Sequence, residues 1–486
     1  MSLSTALSIA QTALLNTSRQ TTVVSRNISD ASNPDYSRRM AVLTSQAPGA
    51  RIVDIQRAAN EQLLRNSLGA LSSYEGQNTL LEGLNLLATR VNGDDNATSP
   101  ATLIGRLQEA LHLYSSTPSN RTLAENSVEA ARQVALALNQ GSDAIQASRV
   151  EADLAIAAEV ADLNTLLGEF HAANKAVTQG TLAGRDVNDA LDQRDALLKK
   201  ISEKIPVTTL TREGNDMVIL TKDGAMLYEK TPRTVSFTPL AGYTPTATGN
   251  AIYVDGVPVS GGMGANTSAS GRIAALVQLR DGVAPAMQRQ LDEIARGLVT
   301  AFAETDPLGV QPNAAGLFTW QGAPAIPAAA TLVDGLAATI SINAAFDSSA
   351  GGNPILLRDG GANGAAYVHN TTGAASFPDL LLSYDSRLDA PMAFDPSVGL
   401  GDSATLGGYS ANAIGWLESM RQESSRAAET KSALMVRTAE ALSNATGVNI
   451  DLEMSLLLDL EHSYEASARL LKAIDDMLTS LLAMVR

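Results

Sequence analysis

The 486-residue sequence contains no cysteine, which excludes disulfide bonds, thiolate metal sites and a cysteine nucleophile. Aromatic residues make up only 4% of the chain, and its four histidines lie singly at positions 112, 171, 369 and 462. None belongs to a metal or hydrolase motif such as H-E-x-x-H or G-x-S-x-G. We therefore predict no catalytic site, no cofactor and no metal site, and we expect that the protein is not an enzyme.

Basic residues and long apolar runs are also scarce. The chain has 35 Lys and Arg against 51 Asp and Glu, and this net charge of −16 argues against nucleic-acid binding, which requires clustered basic residues. No apolar stretch reaches the 18 residues of a candidate membrane span. The first basic residue is Arg19, so the charged start of a cleaved signal peptide is missing. We therefore expect no membrane insertion and no cleaved signal peptide.

Both ends of the chain carry heptad patterns typical of coiled coils. Near the start, the pattern alternates between steps of four and three residues, and near the end apolar residues recur every seven positions. A helix with such a stripe needs a partner to bury it, so we predict that the two stripes form an assembly interface. The predicted residues are Leu3, Leu7, Leu14, Val24, Ile28, Ile450, Leu457, Leu460, Tyr464, Leu471, Ile474, Leu478, Leu481 and Val485.

The two ends also differ in charge. Six Arg and three Asp give residues 1–57 a net charge of +3, whereas seven acidic and three basic residues give residues 448–486 a net charge of −4. Opposite charges favour pairing of the two ends, although the gain is small at exposed positions. We predict that residues 1–57 and 448–486 together form a terminal coiled-coil domain.

Between the ends, the sequence predicts long helices and two hairpins. Ser99-Pro100 is an N-cap followed by proline at the first helical position, and Thr117-Pro118 repeats this signal before an Ala/Leu/Glu-rich helix of about 55 residues. At ~1.5 Å per residue that helix is ~80 Å long, which predicts a rod. Asp223-Gly224 and Asp255-Gly256 each separate two short apolar runs and predict hairpins.

The predicted fold class is mainly α with inserted β structure. A helical rod domain is predicted over residues 58–205, 270–305 and 408–447, with a break near Asp281-Gly282. An outer β-rich domain is predicted over residues 206–269 and 306–407, where Gly, Pro, Asn and Thr are frequent. The long terminal helices and the rod domain would then form one shaft, with the β structure inserted into its middle.

Asp192 and Asp195 lie three residues apart in the segment Leu191-Asp192-Gln193-Arg194-Asp195. As a general acid and base they would need a cleft and a substrate-binding wall. We predict instead that they are solvated, or paired with Arg194 and Lys199 on a helix face.

A turn-forming segment, residues 27–38, follows the first stripe. Asn27, Ile28, Ser29, Asp30, Tyr36 and Arg38 of this segment resemble the signature N-N-I-[AS]-N-x-x-T-x-G-Y-x-R of rod, hook and hook-associated proteins of bacterial flagella. Tyr36 and Arg38 are suited to anchor the reversed chain. The sequence departs from the signature at Arg26, at Asp30 and at Asp35. Asp35 replaces a glycine, and a left-handed backbone there is strained without glycine.

Four further segments resemble the FlgK family of hook-associated proteins. Residues 191–202 resemble L-D-Q-R-D-x-L-[VL]-x-x-[IL]-S, and residues 271–306 resemble that family's G-x-[IL]-x-x-L region. Residues 446–453 resemble S-G-V-N-L-D-E-E, and residues 464–470 resemble Y-x-A-x-A-x-[VL]. The resemblance covers both ends and the inner helices, and it implies flagellin-like D0 and D1 domains with an outer D2-like domain.

The resemblance implies a structural role at the junction between the flagellar hook and the filament. Its implied partners are further copies of the chain in a ring, the hook protein, a FlgL-like junction protein and a FlgN-like export chaperone at the C-terminal helix. It also implies an extracellular location in the bacterial flagellum, reached through type III export without a cleaved signal peptide.

Three alternatives stay open from the sequence. The chain could be another axial protein, either FlgL-like or flagellin-like, although the segment around Leu191 favours the FlgK family. It could carry an enzyme domain on a flagellar shaft, within residues 206–269 or 306–407. A type III translocator or adhesin would also contain coiled coils, but it would not explain the segment from Asn27 to Arg38.

Overall fold

The computed structural model describes residues 3–46, 49–259 and 268–484, so Val485 of the predicted stripe lies outside the described residues. Helices dominate the structure. They are α1 Leu3–Ser29, α2 Glu61–Asn92, α3 Pro100–Ser116, α4 Arg121–Leu182, α5 Asn188–Lys204, α6 Arg272–Gln278, α7 Ala284–Ala301, α8 Leu336–Thr339, α9 Leu356–Asp359, α10 Asp379–Asp389, α11 Leu406–Thr446 and α12 Ile450–Met484. Within the described parts of the chain, no helix is both long and apolar enough to cross a membrane.

The strands form small antiparallel sheets of two or three strands, in the orders β1-β2, β3-β4-β5, β6-β7-β8, β9-β10 and β11-β12. They are β1 Arg39–Gln46, β2 Gly49–Arg57, β3 Val207–Thr211, β4 Met217–Thr221, β5 Met226–Tyr228, β6 Val235–Ser236, β7 Ile252–Val254, β8 Val257–Val259, β9 Phe318–Thr319, β10 Ser341–Ile342, β11 Met392–Ala393 and β12 Ser403–Ala404. The two hairpins predicted at Asp223-Gly224 and Asp255-Gly256 are present as β4–β5 and β7–β8.

The helix α4 is the central and longest helix of the molecule. Its 62 residues correspond to ~90 Å at ~1.5 Å per residue, so the predicted rod is present. The helices α2, α3, α5, α6 and α7 pack along it, and α11 packs on α2. We call this assembly of α2 to α7 and α11 the shaft.

Two apolar cores hold the shaft together. The larger one joins α2, α3, α4, α7 and α11 to the inserted region 315–394, whose Phe318, Phe346 and Phe394 are fully buried. The smaller one joins α4 and α5 to strands β4 to β7. The inserted segments are therefore continuous with the shaft through buried apolar side chains.

Two local predictions were wrong. Ser99 caps α3 as predicted, but α4 begins at Arg121 with Asn120 as its cap, because the Asn120 side chain accepts a hydrogen bond from the backbone of Thr122. Near Asp281-Gly282 the helix does not break. One π-helical turn, Leu279–Val283, joins α6 to α7 and accommodates these residues.

Gly69, Gly76 and Gly83 recur every seven residues in α2, a spacing compatible with either close packing or bending. A Cβ atom at position 76 would lie 2.6 Å from the carbonyl oxygen of Ala269, and one at position 83 would overlap the side chain of Leu279. At position 69 nothing lies within 4 Å. Close packing therefore explains Gly76 and Gly83 but not Gly69.

Because of this difference in packing, replacing glycine by alanine should have opposite effects on stability at positions 69 and 76. Gly69→Ala should stabilise the protein by ~0.5–1 kcal/mol, because alanine favours the helix over glycine. Gly76→Ala should destabilise it by ~1–3 kcal/mol, because backbone must move to admit the methyl group. Urea unfolding followed by circular dichroism measures both, and equal effects of the two changes would contradict the packing explanation.

The terminal unit consists of α1, β1, β2 and α12. The helices α1 and α12 pack against each other in an antiparallel arrangement, since Asn27 at the end of α1 meets Glu453 at the start of α12. Residues 39–46 and 49–57 form the strands β1 and β2 along α1 rather than part of a coiled coil, which corrects the prediction for residues 1–57. Asn16 of α1 binds the hairpin edge through the Ala50 oxygen and the Ile52 nitrogen, a contact that no heptad pattern reveals.

Candidate assembly interface

The signature segment is organised around Asn27, which is completely buried at the end of α1. Its amide nitrogen donates to the Arg39 oxygen at 2.9 Å and to Glu453 at 3.0 Å. Its amide oxygen accepts from the Tyr36 hydroxyl at 2.8 Å and from the Arg39 backbone at 2.9 Å. Both donors and both acceptor positions of this amide are used, so Asn27 fixes the direction in which the chain leaves α1.

Glu453 connects the signature segment to α12. Its carboxylate is fully buried and binds Arg38 Nε at 2.6 Å as well as Asn27. The Arg38 backbone also donates to the Thr446 oxygen at the end of α11. Arg38 therefore binds Glu453 from the other end of the chain, whereas Tyr36 binds Asn27 within the signature segment.

Asp192 and Asp195 lie in a buried ion-pair network and not on a solvated face. Asp192 binds Arg39 at 2.6 Å and Arg57 at 2.9 Å, and Asp195 binds Arg57 at 2.7 Å. The predicted partners Arg194 and Lys199 are therefore wrong. Arg194 donates instead to Asn174 and to the Asn215 oxygen. The true partners come from the β1–β2 hairpin, whose position the sequence did not indicate.

Burial shifts the pKa values of groups in this network and leaves some of its polar atoms without hydrogen bonds. Burial raises the pKa of Asp195, although the nearby Arg57 opposes this shift. Burial also raises the pKa of Tyr36, whose ring lies 4.9 Å from the Arg39 guanidinium carbon. Among the described residues, Nε and Nη1 of Arg39 have no hydrogen-bond partner. The carboxylates of Asp192 and Asp195 are paired with arginines of the β1–β2 hairpin, so their arrangement is that of a structural joint.

The replacement of glycine by Asp35 has a simple structural account. Asp35 is not among the described residues with positive φ, so its backbone avoids the left-handed region that would require glycine. Its backbone N–H donates to the Asn33 side chain at 3.0 Å, and its carboxylate pairs with Lys199 at 2.8 Å. An Asx turn and an ion pair therefore hold the chain at position 35 in a conformation that does not require glycine.

The predicted stripe residues fall into two groups. One group is buried or half-buried between α1 and α12 or against the hairpin: Leu3, Leu7, Leu14, Val24, Ile28, Leu457, Leu460, Leu471, Ile474 and Leu478. In the other group, Ile450, Tyr464 and Leu481 are each about half exposed. The helix α12 is eight residues longer than α1, so Leu481 extends beyond the described start of α1.

A second apolar stripe of α12 lies beside the buried seam, since Met477 follows the buried Ile474 by three residues. Leu456, Leu470, Met477 and Met484 share one heptad position, which Ser463 interrupts, and all four are exposed, Met477 to 51% and Met484 to 85%. The sequence analysis missed this stripe, because it identified only the seam and not the apolar residues beside it. We call these four residues the outer stripe.

Two protein families match parts of the chain. Residues 89–317 match the family described as flagellar hook-associated protein FlgK helical domain, and residues 441–484 match the flagellar basal body rod FlgEFG protein C-terminal family. The first match spans α3 to α7, including Asp192 and Asp195. The second spans α12, with Glu453 and both of its stripes.

One curated relative is flagellar hook-associated protein 1 from Bacillus subtilis (strain 168), 23% identical over 347 residues. The match covers 66% of this chain and 64% of that protein, which is less than two thirds of the relative's length.

Among solved structures, the flagellar hook junction protein FlgK from Burkholderia pseudomallei matches with a TM-score of 0.57 at 12% identity, covering 78% of this chain and 99% of that one. At this identity the likeness concerns the fold, and it confirms the predicted mainly α fold with inserted β structure. In the helical-domain match, the curated relative and the shared fold, the chain is similar to the FlgK family of flagellar hook-associated proteins.

Proposed function

We propose that the protein is a structural subunit of the bacterial flagellum that forms the junction between hook and filament. Similarity to the FlgK family supports this role, and the outer stripe is the observation that carries it. Four apolar side chains exposed at heptad spacing on one long helix provide a seam for neighbouring helices. An enzymatic role has no comparable support, because the buried charges of the joint pair with one another.

The proposed assembly places residues 1–57 and 448–486 in the D0-like inner domain, where copies of the chain meet in a ring. Residues 58–205, 270–305 and 408–447 then form the D1-like rod, and residues 206–269 and 306–407 form the D2-like outer part. The stripe residues Ile450, Tyr464 and Leu481 join the outer stripe as contacts between copies, since all three are exposed. The hook protein and a FlgL-like junction protein are the proposed axial neighbours.

Export fits the same proposal. The chain would leave the cell through the flagellar type III apparatus without a cleaved signal peptide and would reside in the extracellular flagellum. Before assembly the outer stripe exposes apolar surface to water, which favours aggregation. A FlgN-like chaperone that covers α12 would prevent this.

The test uses the bacterium that carries the gene. Deletion should leave hooks without filaments and abolish swimming, and an epitope-tagged copy should restore both. Immunogold labelling of isolated flagella should place the tag at the hook–filament boundary. Label along the filament would instead support the flagellin-like alternative, and intact filaments in the deletion strain would overturn the proposal.

A further inference from the structure

A groove lies between the terminal unit and the shaft. Its volume is about 570 Å³, and its walls are the loop 31–37, the start of α2, part of α5 and the end of α11. Most of the lining side chains are apolar or small, among them Leu64, Leu71 and Ala439. Val436 also lines the groove and is 46% exposed, so this apolar surface is open to water in the single chain. A recess of this size has room for several side chains of a partner.

The groove carries unpaired negative charge. Four acidic and two basic side chains line it. Both basic side chains already pair with acidic ones of the same lining, at 2.7 and 2.8 Å. The remaining two acidic side chains, Glu61 and Glu440, form no ion pair with any described residue. An occupant that presents apolar side chains together with a basic one would therefore match the groove.

The outward face of the β1–β2 hairpin has this composition. Side chains alternate between two faces along a strand, and the buried Ile52 marks the face that packs on α1. Arg51 and Val53 flank Ile52 and therefore lie on the opposite face. Thr44 pairs with Arg51 in register, so Met40, four residues before Thr44, shares that face. Met40 is 41% exposed and Val53 is 58% exposed. Arg51 is exposed too and, within the described parts of the chain, forms no ion pair.

The hairpin face and the groove are complementary surfaces rather than identical ones. Such surfaces pair head to tail, so that each copy of a chain offers one surface to each of two neighbours. When the rotation between neighbours closes, a contact of this kind forms a ring. Both surfaces belong to or border the terminal unit, whose outer stripe is the proposed meeting point of copies. A contact between hairpin and groove would therefore continue that interface.

We propose that the β1–β2 hairpin of each copy fills the groove of its neighbour. Met40 and Val53 pack on the apolar lining around Ala439, and Arg51 pairs with Glu440. This inference rests on the proposed assembly of copies in a ring, and it names a second contact there beside the outer stripe. The signature segment, which forms one wall of the groove, then takes part in recognition between copies as well as in the fold of a single chain.

The absence of cysteine permits a direct test in assembled flagella. The deletion strain would express the chain with both Val53→Cys and Ala439→Cys, and isolated flagella would be oxidised with copper phenanthroline. Denaturing gels without reductant should show a ladder of dimers and larger multimers, because each copy offers one thiol to each neighbour. Each single-cysteine chain should stay monomeric. The matched control with Val310→Cys and Ala439→Cys should stay monomeric as well, since Val310 is also exposed but lies outside the hairpin.

Charge reversal provides an independent measurement. Arg51→Glu and Glu440→Arg should each lower incorporation of the chain into flagella roughly fivefold, because like charges would then face each other. The double reversal should restore incorporation to within about twofold of the original chain. Such restoration separates a contact between copies from a folding defect, since a change in α11 does not repair a misfolded hairpin. Arg121→Glu is the matched control. It reverses an exposed charge of the shaft outside both surfaces and should leave incorporation unchanged.

Monomers alone from flagella that contain the double-cysteine chain would overturn the proposal. A ladder from the Val310→Cys control would overturn it as well, because the cross-linking would then be unspecific. Failure of the double charge reversal to restore incorporation has the same meaning, and this measurement decides alone where the double-cysteine chain is not incorporated. A missing contact in a protein at the hook–filament boundary refutes only this inference, whereas the deletion strain and the immunogold label decide the proposed function.

Discussion

Replacing Glu453 by alanine is expected to destabilise the terminal unit by ~3 kcal/mol, the usual size of the loss when one partner of a buried ion pair is removed. The carboxylate is fully buried and is shared by Arg38 and Asn27. Without it, one buried donor of Asn27 is left without a partner. Hydrogen exchange at the backbone amides of α1 and α12 should accelerate roughly 100-fold, because each 1.4 kcal/mol is a factor of ten.

Glu465→Ala provides the control for this experiment. Glu465 lies on the same helix and pairs with Arg469 one turn away, but both side chains are largely exposed. Such pairs contribute only ~0.3–0.5 kcal/mol, so its hydrogen exchange should change less than threefold. Glu453→Gln should lie between the two variants, since the amide oxygen still accepts one hydrogen bond. Similar exchange rates for Glu453→Ala and Glu465→Ala would refute the anchoring role of Glu453.

The periodicity of the sequence predicted the helices well, because long helices with one buried face leave a strong pattern. The predicted seam residues of α1 and most of those of α12 are accordingly buried or half-buried in the single chain. The predicted domain borders and the assembly role of the stripes remain proposals. The exposed outer stripe was missed, because it lies beside the seam on the helix surface, and the stronger heptad pattern of the seam hides it.

The candidate joint could be predicted only in part. The signature pointed to Asn27, Tyr36 and Arg38, whose spacing is local in the chain. Glu453, which binds Asn27 and Arg38, lies 426 residues from Asn27, and no pattern within one sequence links such distant positions. For the same reason Asp192 was assigned neighbours on its own helix, whereas its partners come from the hairpin. Long-range ion pairs depend on tertiary geometry, which periodicity does not contain.

The last prediction separates folding of the terminal unit from its assembly. Met477→Asp introduces a charge on the outer stripe, where the side chain is half exposed in the single chain. The pairing of α1 with α12 should therefore persist, with unchanged hydrogen exchange. Between copies the same charge would be buried without a partner, at a cost of several kcal/mol. Incorporation into flagella and swimming should fall by more than about tenfold.

Two matched variants complete this comparison. Ile474→Asp places the charge between α1 and α12, where the side chain is only 2% exposed, and should accelerate hydrogen exchange in both helices. Thr479→Asp adds the same charge to the exposed polar stripe of α12 that contains Glu465 and Lys472, and it should leave both folding and swimming intact. If Met477→Asp cells swim as well as Thr479→Asp cells, the outer stripe is not the surface through which copies of the chain meet.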